Sequence, residues 1–222
     1  MMVLAVSLSA AYIMITDDEG SAENETYFID NGIRYIVTDD VGKKVSVAPL
    51  EGDAKYAADT KLVIPETATD GTDTYTVTGI SAKTFAFATS LYGIELPDTI
   101  ETFGDQAFRW CAVYQDLVLP ANLTTIGQGC FDSAVITGLD MSNCQVTVIP
   151  DTGFYNCKYL KWVKFNDKVT TIERMAFNAD VMLDDIDFNG SPIRTIGEKA
   201  FGKLSSGTEF TVPATVTSID DS

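Results

Sequence analysis

Three sets of side chains in this sequence have types and spacings that could carry chemistry. The stretch DIDFNG sets Asp185, Asp187, Asn189 and Gly190 in the D-x-[DN]-x-[DN]-G order that opens a calcium loop. Such a loop needs a bidentate glutamate six residues past the glycine, and that position is Ile196, an expected core residue. No metal and no cofactor are therefore expected, beyond a low-affinity cation contact if Glu209 neighbours Asp185. The same two acids are the best candidates for a carboxylate-based glycosidase, which needs a pair about 5 to 9 Å apart in a cleft. An open surface offers little desolvation to raise one of their pKa values, so the chain is expected not to be an enzyme. The third set is Cys111, Cys130, Cys144 and Cys157, which form no C-x-x-C pair and so no zinc signature.

Composition narrows the field further. The 222 residues contain no histidine, which removes the usual general base at neutral pH, His-activated nucleophiles and imidazole metal ligands. A formal net charge of −17 repels nucleic acid and anionic membrane surfaces and favours cationic partners. With 45% hydrophobic residues, the chain can still build a real core.

What positions these side chains is a repeat. The segments GISAKTF, TFGDQAF, TIGQGCF, VIPDTGF, TIERMAF and TIGEKAF place Phe85, Phe108, Phe131, Phe154, Phe177 and Phe201 23 residues apart, and 24 at the last step. Five residues before each lies Ile80, Phe103, Ile126, Ile149, Ile172 or Ile196. Each copy runs into an alternating pair such as Leu117/Leu119 or Val163/Phe165, and Pro97, Pro120 and Pro213 close three of them. Alternation is strand periodicity. The spacing Phe85, Ala88, Leu91 predicts a short helical or 3-10 turn with one face inward. A unit this short cannot bury its apolar face alone, so the copies must stack into a solenoid with one parallel strand per coil and a continuous phenylalanine ladder. The recurring glycine supplies a turn in this frame; it is replaced by Ser81, Pro150 and Glu173 elsewhere, which a phosphate loop would not tolerate.

The stretch LPDTIETFGDQAFRWCAVYQDLVLP and its relatives, over about Tyr75 to Ile219, resemble the BspA-like leucine-rich repeats of microbial surface proteins. The resemblance implies an α/β leucine-rich-repeat solenoid in a secreted or cell-surface protein associated with adhesion and protein binding. The family's frequent cysteine three residues after the Phe survives as Cys111 and Cys157 and is replaced by Ala88, Ala134, Asp180 and Leu204. Those two cysteines stand two coils apart, about 9 to 10 Å, beyond disulfide reach, so free and mostly buried thiols are expected.

The domain plan follows. Residues 1–22 hold an apolar run, MMVLAVSLSAAYIMIT, read as a signal peptide or membrane anchor, although no Lys or Arg precedes it. Membrane contact is expected only through that segment. Residues 23–74 form an antiparallel cap, signalled by Asn31-Gly32 between apolar runs, with KLVIP as a first irregular coil. Residues 75–222 are the repeats, and TSIDDS falls where a further copy would begin, so the native protein is expected to continue.

A binding surface should lie on the strand face, at the residues flanking the buried pairs: Asp116, Asp140, Trp162, Lys164, Asp185, Asp187 and Glu209. This face is acidic with one aromatic. Trp162 is either an exposed anchor or a side chain folded onto the neighbouring coil, and the acids are either a contact surface or a solvated face. The expected function is protein binding or adhesion by a non-enzymatic extracellular module; the alternative is a spacer presenting another domain of a longer protein.

Overall fold

The computed structural model describes residues 13–14, 25–52, 54–56 and 61–220. Apart from Ile13–Met14, which pairs antiparallel with Thr26–Asp30, the segment read as export signal or anchor lies outside the described residues. The cap is a meander of Thr26–Asp30, Ile33–Asp39 and Lys44–Val47. Its first turn is Asn31-Gly32, with φ of 49° and 78°, the left-handed pair that a two-residue hairpin requires. Lys44–Val47 then pairs parallel with Thr74–Ile80, so the cap sheet runs directly into the solenoid.

Each coil contributes to two parallel ladders. The front ladder joins Asp116–Val118, Gly138–Asp140, Trp162–Lys164 and Asp185–Asp187 in strict register. The rear ladder continues from Thr74–Ile80 through Thr102–Phe103 to Thr125–Ile126, then resumes at Val148–Ile149 through Thr171–Ile172 and Thr195–Ile196 to Ser218–Ile219. The gap has a chemical cause. Gly104 and Gly127 donate their N–H to Ile80 and Phe103 of the preceding coil, whereas Pro150, at the same place, has no N–H to give Ile126. The front ladder is also interrupted, between Ile94–Glu95 and Asp116–Val118. There the Gln115 side-chain amide stands in for a peptide, donating to the Ile94 carbonyl at 2.8 Å and accepting the Ile94 N–H at 3.3 Å.

The expected helical or 3-10 turn is corrected: no helix occurs among the described residues. The Phe segment is a ladder of turns with a left-handed residue two before and two after every ring, as at Gln106 and Trp110 (φ 55° each) or Thr152 and Asn156 (φ 54° and 59°). Such residues stop a right-handed helix within four positions. Backbone donors alternate accordingly. Gln106, Phe108 and Trp110 give their N–H to the next coil at Gln128, Cys130 and Asp132, while Ala107, Arg109 and Cys111 close turns onto residues three before them. The three-residue spacing of buried positions comes from these turns.

Inside, the six rings form one row. Phe108, Phe131, Phe154 and Phe177 stack at 4.8 to 5.2 Å with interplanar angles of 1° to 4°, and Phe85 and Phe201 extend the row at both ends. Glycine contributes here by proximity: a Cβ on Gly127 would lie 2.4 Å from the Asp105 nitrogen, and Gly127 does not have a positive φ. The glycine does open a turn, its carbonyl accepting from the residue three on, as Gly127 from Cys130 at 3.2 Å, but what demands glycine there is close coil-to-coil approach.

Candidate functional site

The front ladder sets most of the expected site residues in register. Asp116 stands across from Gly138 and Gly138 from Trp162, while Asp140 faces Lys164. Asp185 stands across from Trp162 and Asp187 from Lys164. Asp116, Asp185 and Asp187 are exposed, and Asp140, Trp162 and Lys164 are half-buried. Trp162 takes the folded form: its indole lies over Gly138, where a Cβ would meet ring atoms at 2.2 to 2.4 Å. A glycine in the preceding coil is what lets the ring lie flat.

Several of the acids have structural partners. Asp116 accepts from the Thr137 hydroxyl at 2.6 Å, and Asp140 and Asp187 accept the N–H groups of Ser142 and Asn189, each at 2.8 Å. The last bond accounts for the calcium-like stretch: Asp187 caps a left-handed Asn189-Gly190 turn, and the Asn189 amide turns away to the Phe165 carbonyl. Among the described residues no group of three His, Cys, Asp or Glu is placed to hold a metal.

Glu209 is exposed and is not joined to this ladder. The front ladder ends at Asp187, and residues 208–213 form no strand. Gly207 (φ 91°) redirects the chain; the Thr208 hydroxyl donates to the Leu183 carbonyl of the preceding coil at 2.9 Å, and Phe210 packs tilted against Phe188 and Phe201, so that segment is held by a side-chain bond and a ring rather than by a ladder. No ladder pair therefore sets Asp185 against Glu209 in the register that the alternation predicts.

Comparison with known proteins fits this architecture. Six copies of the BspA type leucine rich repeat region match residues 78–191 and 134–222, more than half of the chain. The chain belongs to the BspA-type leucine-rich-repeat family. Among solved structures, this BspA-type chain is similar to a leucine rich cell surface protein from Faecalibacterium prausnitzii, with a TM-score of 0.72 and 22% identity over 90% of the chain. It is also similar to a leucine-rich repeat protein from Eubacterium ventriosum, with a TM-score of 0.68 and 23% identity over 91% of the chain. The chain spans about half of each, 52% and 50%. A leucine rich repeat protein of T. pallidum matches over 74% of this chain and 82% of its own, at 18% identity and a TM-score of 0.53. No curated protein matches.

The BspA-type frame explains the cysteines. All four are free and buried. Burial pushes the Cys111 thiol up to about 12 and holds Cys130 and Cys157 high as well, so these thiols stay protonated and unreactive. Cys157 donates its S–H to the Phe131 carbonyl of the preceding coil. Asp180 fills the same position one coil later and accepts the Cys157 N–H at 2.7 Å, while its second oxygen is buried without a partner. Burial drives its pKa well above the usual carboxylate range.

Reading the sequence by its buried periodicity passes over a second surface. Trp110, Tyr114 and Tyr159 are about half exposed, beside the turn ladder. Their signal in the sequence is large aromatics at positions the repeat does not bury.

Proposed function

We propose that this chain is a non-enzymatic binding module of a bacterial protein displayed at the cell surface or secreted, and that it engages a cationic protein partner through the front strand face. The observation that carries the reading is the pair of exposed acids, Asp185 and Asp187, on the last strand of the in-register front ladder. Asp185 has no hydrogen-bond or ion-pair partner among the described residues, so its charge is free to meet one from outside. A long-range negative field speeds and orients encounter with a positive surface. Membership in the BspA-type family and the apolar segment at 1–22 support that location.

The test is capture of surface proteins from the organism's own surroundings by the parent chain and by Asp185→Lys/Asp187→Lys. The reading expects a partner whose retention falls on charge reversal and with rising salt. Retention indifferent to both would remove the front face from the function. Trp162→Ala is the weaker test, because the indole also packs on Gly138.

A second reading, a spacer that presents another domain, is favoured by the chain spanning only half of the solved structures it resembles. It predicts that shortening the full-length protein by one coil leaves partner capture intact.

A further inference from the structure

A groove of about 220 Å³ crosses three coils between the turn ladder and the front ladder, walled by Trp110, Tyr114 and Tyr159. Its polar side is built by a relay whose direction is fixed by chemistry. Asp132 accepts from Arg109 Nε at 2.9 Å and from the Ser133 hydroxyl at 2.7 Å. A carboxylate can only accept, so the Ser133 proton is committed and its oxygen must accept from the Asn156 amide N–H, at 2.9 Å. That leaves Asn156 Oδ1 as an acceptor held at a defined place in the groove wall, with no partner among the described residues. Lys158, exposed and without an ion pair among those residues, adds a mobile donor.

We infer that this groove is a carbohydrate site and takes a neutral pyranose chain. The ligand must offer an apolar C–H face to the electron-rich aromatic faces and O–H groups at its perimeter for Asn156 Oδ1 and Lys158. A sugar ring has both. A proline-rich strand brings carbonyl acceptors but no N–H for Asn156. A quaternary ammonium is repelled by Lys158, and a purely aliphatic ligand would desolvate the amide without replacing its hydrogen bond. Stacked nucleobases are excluded by the charge of −17. The site is separate from the front strand face, and either can fail without the other.

The experiment is native affinity electrophoresis of the whole chain through gels each holding one soluble polysaccharide: a β-glucan, a galactomannan or a xylan. In parallel, Trp110 fluorescence is followed in a Trp162→Phe background, which leaves it the sole tryptophan. At least one polysaccharide should retard the protein. Trp110→Ala should abolish the retardation, and Asn156→Ala should weaken binding by about tenfold. Trp110→Ala should keep the parent's urea midpoint within error, Asn156→Ala should lower it modestly because Asn156 sits at a left-handed φ and bonds Ser133, with the fold intact at the binding conditions, and Asp185→Lys should bind sugar as the parent does. Migration unaffected by all three polysaccharides overturns the inference. So does retardation that survives both groove substitutions, or a fluorescence response to a proline-rich peptide in place of the sugars.

Discussion

At the residue scale, Asp180 is the most telling departure from the repeat. It occupies the family's cysteine position, where a small S–H donor is at home, and buries a carboxyl with one oxygen bonded and one orphaned. A protonated acid brings no charge into this site, as the thiol of Cys157 brings none one coil earlier; an ionised one does. Because the folded pKa lies above the unfolded value, the favourable contribution is complete below the unfolded pKa of about 4 and is lost as pH rises toward the folded pKa. Asp180→Asn keeps an acceptor for the Cys157 N–H and removes the buried charge at every pH. It should therefore raise the urea midpoint at pH 7.5 and change it little at pH 4. A variant that stabilises equally at both pH values would show that the parent's carboxyl stays ionised throughout. This feature is partly readable in the sequence, since the repeat phase marks Asp180 as anomalous. Its protonation is not, because that depends on how completely the neighbouring coils exclude water.

At the element scale, side-chain phase is readable and backbone sign is not. Phe131 and Ile126 recur because each coil buries the same volume, whereas the left-handed positions are held by residues as unlike as Lys83, Thr152 and Met175, which announce nothing. A three-residue spacing consequently reads as helical in the sequence when it arises from stacked turns. The same limit applies to the site: Asp116, Asp140, Lys164, Asp185 and Asp187 could be assigned to one face by alternation, but alternation does not tell that Glu209 is not joined to their ladder. Glycine shows the physical cause, since Gly127 is required by the backbone of the coil beneath it. Gly127→Ala would press a Cβ to 2.4 Å from the Asp105 nitrogen and 2.5 Å from the Gly104 carbonyl carbon. Neither is a flexible side-chain end, so the coils must part. The expected cost is about 1–3 kcal/mol in urea denaturation, with faster amide exchange at Gly127 and its neighbours. An unchanged midpoint would mean that the coil spacing gives way more easily than the hydrogen-bonded ladders allow.

At the scale of the whole molecule, stability should be a sum over neighbouring coils, because almost every long-range bond joins one coil to the next. The phenylalanine row makes this testable, since chemically identical rings occupy unequal positions. Phe131 is fully buried, stacked on Phe108 and Phe154 and met edge-on by Phe103. Phe201 stacks on Phe177 on one side only, is met edge-on by Phe188, tilts against Phe210 and is only partly buried. Phe131→Ala should cost about 3–5 kcal/mol, and Phe201→Ala about half of that or less. The pattern of loss matters more than its size. In a nearest-neighbour array, Phe201→Ala should speed amide exchange from about residue 195 onward and leave the cap protected, whereas Phe131→Ala should uncouple the coils on both of its sides. Equal costs, or a uniform loss of protection from either substitution, would mean that the chain unfolds as one unit and that its surfaces are mechanically coupled. With local coupling, the acidic face and the aromatic groove, built on overlapping but distinct parts of the same coils, can each carry a ligand without altering the other's affinity.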